Sequence, residues 1–202
     1  MKFESENIYH FYNRGNNSTK IFFTRENYLY FLNKIRKYLL PHCDILGYCL
    51  MPNHFHFMIY INESGTSPVL NNSIAVLLRS YTQAINKQEN RTGSLFQQKS
   101  KAKKLHDPSD GLKPSDGYNA LDYPIICFHY IHLNPLKANL VSKMEDWEFS
   151  SFKDYVGLRD GKLCNQLLAK ELLDLPDNHN ELYDLSYGVI EENIFENPDL
   201  VS

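Results

Sequence analysis

The 202-residue chain has no apolar run approaching the roughly 20 residues that a membrane helix requires. Its opening, MKFESENIYHFYNRG, lacks the apolar core of a secretory leader. Cysteines are few and scattered. Cys43, Cys49, Cys127 and Cys164 form no Cys-x-x-Cys pair, which argues against a zinc cage or disulfide framework and for reduced thiols in the cytoplasm. Basic residues stop at Lys170, and nine acidic residues follow it. The composition is otherwise that of a globular protein rich in Tyr and Phe, of a length that suits one domain with an appendage.

The net charge of −3 speaks against a nucleic-acid binder until its distribution is considered. Residues 1–105 hold 14 Lys/Arg against 6 Asp/Glu, a charge of +8, and residues 106–202 hold 7 against 18, a charge of −11. A basic body of this kind suits a polyanion partner, although the same charges could balance across a solvated surface.

Hydrophobic periodicity gives the element order. NIYHFYN reads as a strand, and NRGNN breaks it. Thr24 caps a helix over RENYLYFLNKIRKYLL, with Tyr28, Phe31, Leu32, Ile35 and Leu39 on one face. CDILGYCL and HFHFMIYI form a hairpin about the MPN turn. Ile74, Leu77, Leu78, Tyr81 and Ile85 mark a long second helix. SLFQQKSKAKKL reads as a strand with a basic end. This β-α-β-β-α-β order predicts an α+β fold, ferredoxin-like, with helices on an antiparallel sheet. A loop over about 106–122 contains the near-repeat DPSDG/KPSDG. YPIICFHYIHLNPLKANL predicts an added helix ending near Asn134-Pro135. EDWEFSSFKDYVG packs back irregularly, and NQLLAKELLDL is a small helix. The expected division is a body of residues 1–156 and a partly helical acidic extension of 157–202 whose end is frayed or weakly docked.

Within CLMPNHFHFMIYI, strand alternation puts His54, His56, Met58 and Tyr60 on one face and Phe55, Phe57, Ile59 and Ile61 on the other. The Phe/Ile face suits the helices. The two histidines then project together, with Cβ atoms about 7 Å apart by strand rise, near enough to converge on one ion. Two hydrogen-bonded histidines of a packed sheet are the plainer alternative, and a metal site would need a third ligand from elsewhere. In CFHYIHLNP, Tyr130 and Asn134 are spaced to share a helix face. A phenol with an ordinary pKa of about 10 is a weak nucleophile unless a cation polarises its target. Each residue also has a simpler role, Tyr130 as a core aromatic and Asn134 as a helix cap.

GYCLMPNHFHFMIY, YIHLNPLKANLV and WEFSSF together resemble the insertion-sequence-200-like, single-tyrosine HUH transposases, in particular the REP-associated tyrosine transposase branch. YHFYNRGNN and GSLFQQKSKAKKL match in position, and the resemblance spans roughly residues 7–156. It implies a transposase-like catalytic domain over 1–156 that acts as a metal-dependent single-strand DNA endonuclease and strand transferase. On that likeness His54 and His56 hold a divalent ion, Asn134 is the third ligand and Tyr130 is the nucleophile. Tyr130 keeps the 5′ phosphate and releases a 3′ hydroxyl. The likeness also implies a homodimer working on single-stranded or hairpin DNA. The 106–122 insertion and the acidic residues after about 157 lie outside the family pattern. The acidic segment could cover the basic groove as a phosphate mimic.

The ion implied is Mg²⁺ or Mn²⁺, and imidazole ligands favour Mn²⁺. Arg14, Lys20, Arg79, Lys87, Arg91, Lys99, Lys101, Lys103 and Lys104 are candidate phosphate contacts. Tyr9 and Tyr12 could stack on bases or pack in the core. Three rivals remain open: a non-catalytic or domesticated single-strand or hairpin nucleic-acid binder, a metal-dependent phosphodiesterase using water, and Tyr81 in place of Tyr130 as nucleophile.

Overall fold

A computed structural model describes residues 1–105 and 123–191. The expected 106–122 loop and the last eleven residues lie outside the described residues. Strand β1 (Ile8–Arg14) leads through a 3₁₀ turn (Asn16–Ser18) to helix α1 (Arg25–Tyr38). Strands β2 (Cys43–Met51) and β3 (His54–Ile61) follow, then α2 (Ser67–Gln88) and β4 (Lys101–Lys104). Helix α3 (Tyr123–Lys137), a 3₁₀ turn (Met144–Asp146), α4 (Phe152–Tyr155), α5 (Gln166–Leu173) and α6 (His179–Glu191) complete the described chain. The sheet order is β2-β3-β1-β4 with every pairing antiparallel, as the ferredoxin-like order requires.

The fold is explained by which residues each sheet face carries. Phe11, Phe55, Phe57, Ile59 and Ile61 are each at most 1% exposed. They bury against Phe31, Leu32 and Ile35 of α1 and Leu77, Tyr81 and Ile85 of α2, and each such side chain contributes roughly 1.5–3 kcal/mol. α1 starts where expected: Asn27 Oδ1 accepts the Thr24 N–H at 3.1 Å and the Phe23 N–H at 3.0 Å. The β2–β3 turn at Pro52-Asn53 is held from outside, because the Pro52 carbonyl accepts from Ile21 N and the Asn53 carbonyl accepts from Gly15 N at 2.7 Å. Gly15 is required there, since a Cβ would lie 2.0 Å from the Thr19 carbonyl oxygen.

α3 crosses the other face of the sheet. Tyr123, Pro124 and every residue from Ile126 to Leu133 are buried, so the helix is covered on all sides. The sheet covers one side, and the segment from Met144 to α6 packs on it as well. The helix does not stop near Asn134-Pro135 but continues to Lys137. Pro135 cannot donate to the Ile131 carbonyl, and the Asn134 side chain compensates: its Nδ2 donates to the Tyr130 carbonyl at 2.8 Å and reaches the Ile131 carbonyl at 3.4 Å.

Two further expectations are corrected. The strand read across SLFQQKSKAKKL shortens to Lys101–Lys104, with an isolated bridge joining Gly15 to Phe96. The acidic extension is docked as far as α6. Leu182 and Ser186 are buried, and the Tyr183 and Tyr187 hydroxyls donate to the two Glu145 oxygens at 3.0 and 2.7 Å. Asp154 is buried and is held by Arg159, which also donates to the Ser150 and Glu148 carbonyls.

Candidate metal and nucleic-acid site

β1 pairs with β3 so that Tyr12 faces His56 and Arg14 faces His54. Alternation therefore puts His10, Tyr12 and Arg14 on the same face as the two histidines. α3 lies over this face and brings Tyr130 to it. The Tyr130 ring meets His56 edge-on, with centroids 5.8 Å apart and planes at 82°, and meets His10 at 6.3 Å and 78°. Between them opens a cleft of about 340 Å³ lined by Tyr12, Asn13, Arg14, His54, His56, Gln97, Lys99, Lys101, Tyr130 and Asn134. His54 and His56 from β3, Arg14 from β1, and Tyr130 and Asn134 from α3 thus converge on one cleft.

The donor set suits a divalent cation. His54 Nδ1 lies 2.7 Å from Asn53 Oδ1, an acceptor, so Nδ1 carries the hydrogen and Nε2 keeps its lone pair. His56 Nδ1 is engaged by His10 Nε2 at 2.8 Å, and His56 Nε2 is buried without a hydrogen-bond partner. Because the Asn134 amide nitrogen is spent on its own helix, its oxygen is the group left to accept or coordinate. The Asn134 side chain also interacts with both His54 and Tyr130. Among the described residues no three His, Cys, Asp or Glu side chains are grouped to hold an ion, and the Asn134 oxygen is the further donor that lines the cleft with the two histidines.

Electrostatics support the same use. Burial, joined by the Arg14 charge, takes His54 down to about 4. Burial, with His10, His54 and Arg14 beside it, holds His56 well below the ordinary histidine value, and burial with Lys103 takes His10 to about 3. All three are neutral at pH 7, as ligation requires. Burial pushes the Tyr130 phenol up to about 12, opposed by Asn134 and by the Arg14 charge. A phenol held so high would need positive charge at its target to act as a nucleophile. Among the described residues no carboxylate lines the cleft, while Arg14, Lys99 and Lys101 do, all exposed. Asn13 anchors the basic segment by donating to Ser100 Oγ at 2.8 Å and to the Gln97 carbonyl at 3.3 Å.

The other candidates are spread more widely. Lys103 and Lys104 line an adjoining groove with Lys2, Tyr9 and Tyr12, and Lys104 is paired with Glu4 at 2.8 Å. Lys20 is exposed in the turn before α1 and does not line the cleft. Arg79 and Lys87 are on α2, which packs on the opposite sheet face, and Arg91 follows that helix, so none of the three joins the site. Tyr12 lines the cleft, whereas Tyr9 is buried beside Phe3 and accepts the Glu4 N–H. Tyr81 is core: its hydroxyl donates to the Ile21 carbonyl at 2.8 Å on the far side of the sheet. His10, Asn53, Gln97 and Lys137 were not among the sequence candidates, and Lys137 Nζ lies 5.9 Å from the Tyr130 ring centre. Of these, His10 carried a signal, since alternation within IYHFYNR sets it on one face with Tyr12 and Arg14.

No protein-family model matches the sequence, and no curated protein matches it. A solved structure does match: a REP-associated tyrosine transposase bound to a REP hairpin, with a TM-score of 0.55 over 82% of this chain and 94% of that chain, at 14% sequence identity. The chain has the fold of a REP-associated tyrosine transposase. The α+β reading is therefore correct, and among the described residues no helix is long and apolar enough to cross a membrane.

Proposed function

We propose that this protein is a tyrosine transposase that nicks single-stranded DNA and transfers the strand. The approach of Tyr130 to His56 within the same cleft as His54, Asn134 and Arg14 carries this reading. The Tyr130 oxygen attacks a backbone phosphorus, the O–P bond forms as the P–O3′ bond breaks, the phenol gives up its proton and the 3′ oxygen gains one. The 5′ phosphate stays on Tyr130, and attack by another 3′ hydroxyl reverses the step and joins a new end. The covalent link conserves the bond, so no external energy source is needed.

His54, His56 and Asn134 would hold Mg²⁺ or Mn²⁺, with open positions left for phosphate oxygens and water. Such an ion polarises the phosphate and stabilises the charge that builds on it. Arg14, Lys99 and Lys101 draw the strand backbone into the cleft, and Tyr12 offers a face for a base. The solved transposase of this fold is bound to a REP hairpin, and hairpin DNA with a single-stranded flank is the substrate we propose here.

The test is incubation with Mn²⁺ and a labelled hairpin carrying single-stranded flanks, followed by denaturation. Protein-linked label is the expected product. Cleavage with no linked label would favour hydrolysis by water, and intact DNA would favour a binder.

A further inference from the structure

One buried histidine has no part in the reaction as proposed. His10 is 3% exposed and does not line the cleft, yet its Nε2 lies 2.8 Å from His56 Nδ1. Its ring centre lies 4.7 Å from that of Tyr12 and 5.0 Å from that of His56, and those two lie 5.8 Å from each other, so the three rings form one close cluster.

One hydrogen lies between the two ring nitrogens, and two arrangements follow. With the hydrogen on His10, His56 is an acceptor at Nδ1 and carries N–H at Nε2. With the hydrogen on His56 Nδ1, His10 is the acceptor and the His56 Nε2 lone pair is free. Only the second arrangement lets His56 donate an electron pair to a cation. Without an acceptor at His10, the His56 Nδ1–H would be buried and unpaired, an arrangement that costs about 1–3 kcal/mol. The neighbouring ligand is solved the same way, because His54 Nδ1 is held by the amide oxygen of Asn53 at 2.7 Å.

Resting on the reading above, we propose that His10 is a positioning residue: its Nε2 accepts from His56 Nδ1–H and so fixes His56 as an Nε2 metal ligand. His10 touches neither the cation nor the DNA. What matters is an acceptor at this place, so a glutamine oxygen would serve and a phenylalanine would not.

The experiment measures Mn²⁺ affinity of the full chain by electron paramagnetic resonance of the free ion. Wild type, His10→Phe, His10→Gln and His54→Ala are compared, with melting temperatures and metal-free DNA binding alongside. The expected result is about 10- to 100-fold weaker Mn²⁺ binding for His10→Phe. His10→Gln restores most of it, and DNA binding in EDTA is unchanged in both. Wild-type affinity in His10→Phe while His54→Ala loses the ion would overturn the role of His10 and leave the metal site standing. Equal losses in both His10 variants, tracking a fall in melting temperature, would make His10 merely structural and overturn it too. No Mn²⁺ binding by the wild type would sink the metal site itself and this inference with it. If His10→Phe does not fold, ¹⁵N NMR of the wild-type histidine rings with saturating Mg²⁺ decides. His56 protonated at Nδ1 supports the proposal, and His56 protonated at Nε2 overturns it.

Discussion

The Tyr130 ring stands at 82° to the His56 imidazole, with 5.8 Å between their centres, although the two residues come from α3 and β3. A phenol that only filled core would not need to border a cleft lined by Arg14, Lys99 and Lys101. That relationship leads to the predictions below.

On the proposed reading, removing the Tyr130 hydroxyl deletes the nucleophile. Tyr130→Phe should lose all covalent DNA attachment and keep Mn²⁺ and DNA binding. Tyr81→Phe removes the bond to the Ile21 carbonyl, which should cost about 1 kcal/mol of stability and leave attachment intact. Denaturing gels and urea melts separate the two.

On the proposed reading Asn134 has two jobs that two measurements can separate. Asn134→Leu loses the oxygen ligand and also the amide that covers the Tyr130 and Ile131 carbonyls beside Pro135. Mn²⁺ affinity should fall at least about tenfold and stability by about 1 kcal/mol. Calorimetric titration and thermal melts check both. A variant that lost stability but bound the ion normally would remove Asn134 from the ligand set.

The charges should act by position. Arg14→Ala and Lys101→Ala should each weaken single-strand binding and lower the slope of log affinity against log salt by about 0.7, the single-strand value per phosphate contact. Arg79→Ala, on the helix packed against the opposite face, should leave that slope unchanged. Fluorescence anisotropy across a salt series reads it.

The protein should also lose stability in acid. Burial brings His129 to about 4 and His132 to about 3, both below the ordinary 6.5. A depressed folded value means the unfolded chain binds the proton more readily. The stability is therefore present above about pH 6.5 and declines as pH falls toward 4, with a slope approaching about 1.4 kcal/mol per pH unit for each histidine. Both His129 ring nitrogens are buried without partners, so His129→Leu should flatten the slope by one proton and cost little at pH 7. Urea melts between pH 4 and 8 test this.

How much was legible in the sequence depended on the range of the signal. The alternation in HFHFMIYI placed His54 and His56 on one face because a strand has a period of two, whatever its neighbours. The helical spacing of Tyr130 and Asn134 held for the same local reason. His10 escaped notice because its meeting with His56, 46 positions away, depends on the β1–β3 register, which sets His10 opposite Met58 and so diagonal to His56. The end of α3 was misplaced because the residue before a proline is ordinarily driven out of the helix, and here the Asn134 side chain offsets the lost bond. The docking of α6 was missed because it rests on Tyr183 and Tyr187 reaching Glu145, some 40 residues back. α5 contacts β2 and α6 contacts α3, which accounts for the acidic helices without placing them over the β4 groove. The phosphate-mimic idea thus gains no support from residues 171–191, and residues 192–202 lie outside the described residues.

The most direct measurement is the site of the covalent bond. A hairpin substrate with a nicked flank, which traps the adduct by letting the released piece diffuse away, is reacted with the wild-type protein and Mn²⁺, digested and sequenced by mass spectrometry. A nucleotide on Tyr130, joined through its 5′ phosphate, is the expected result. A nucleotide on any other tyrosine, or DNA cut cleanly with Tyr130 unmodified, would contradict the account.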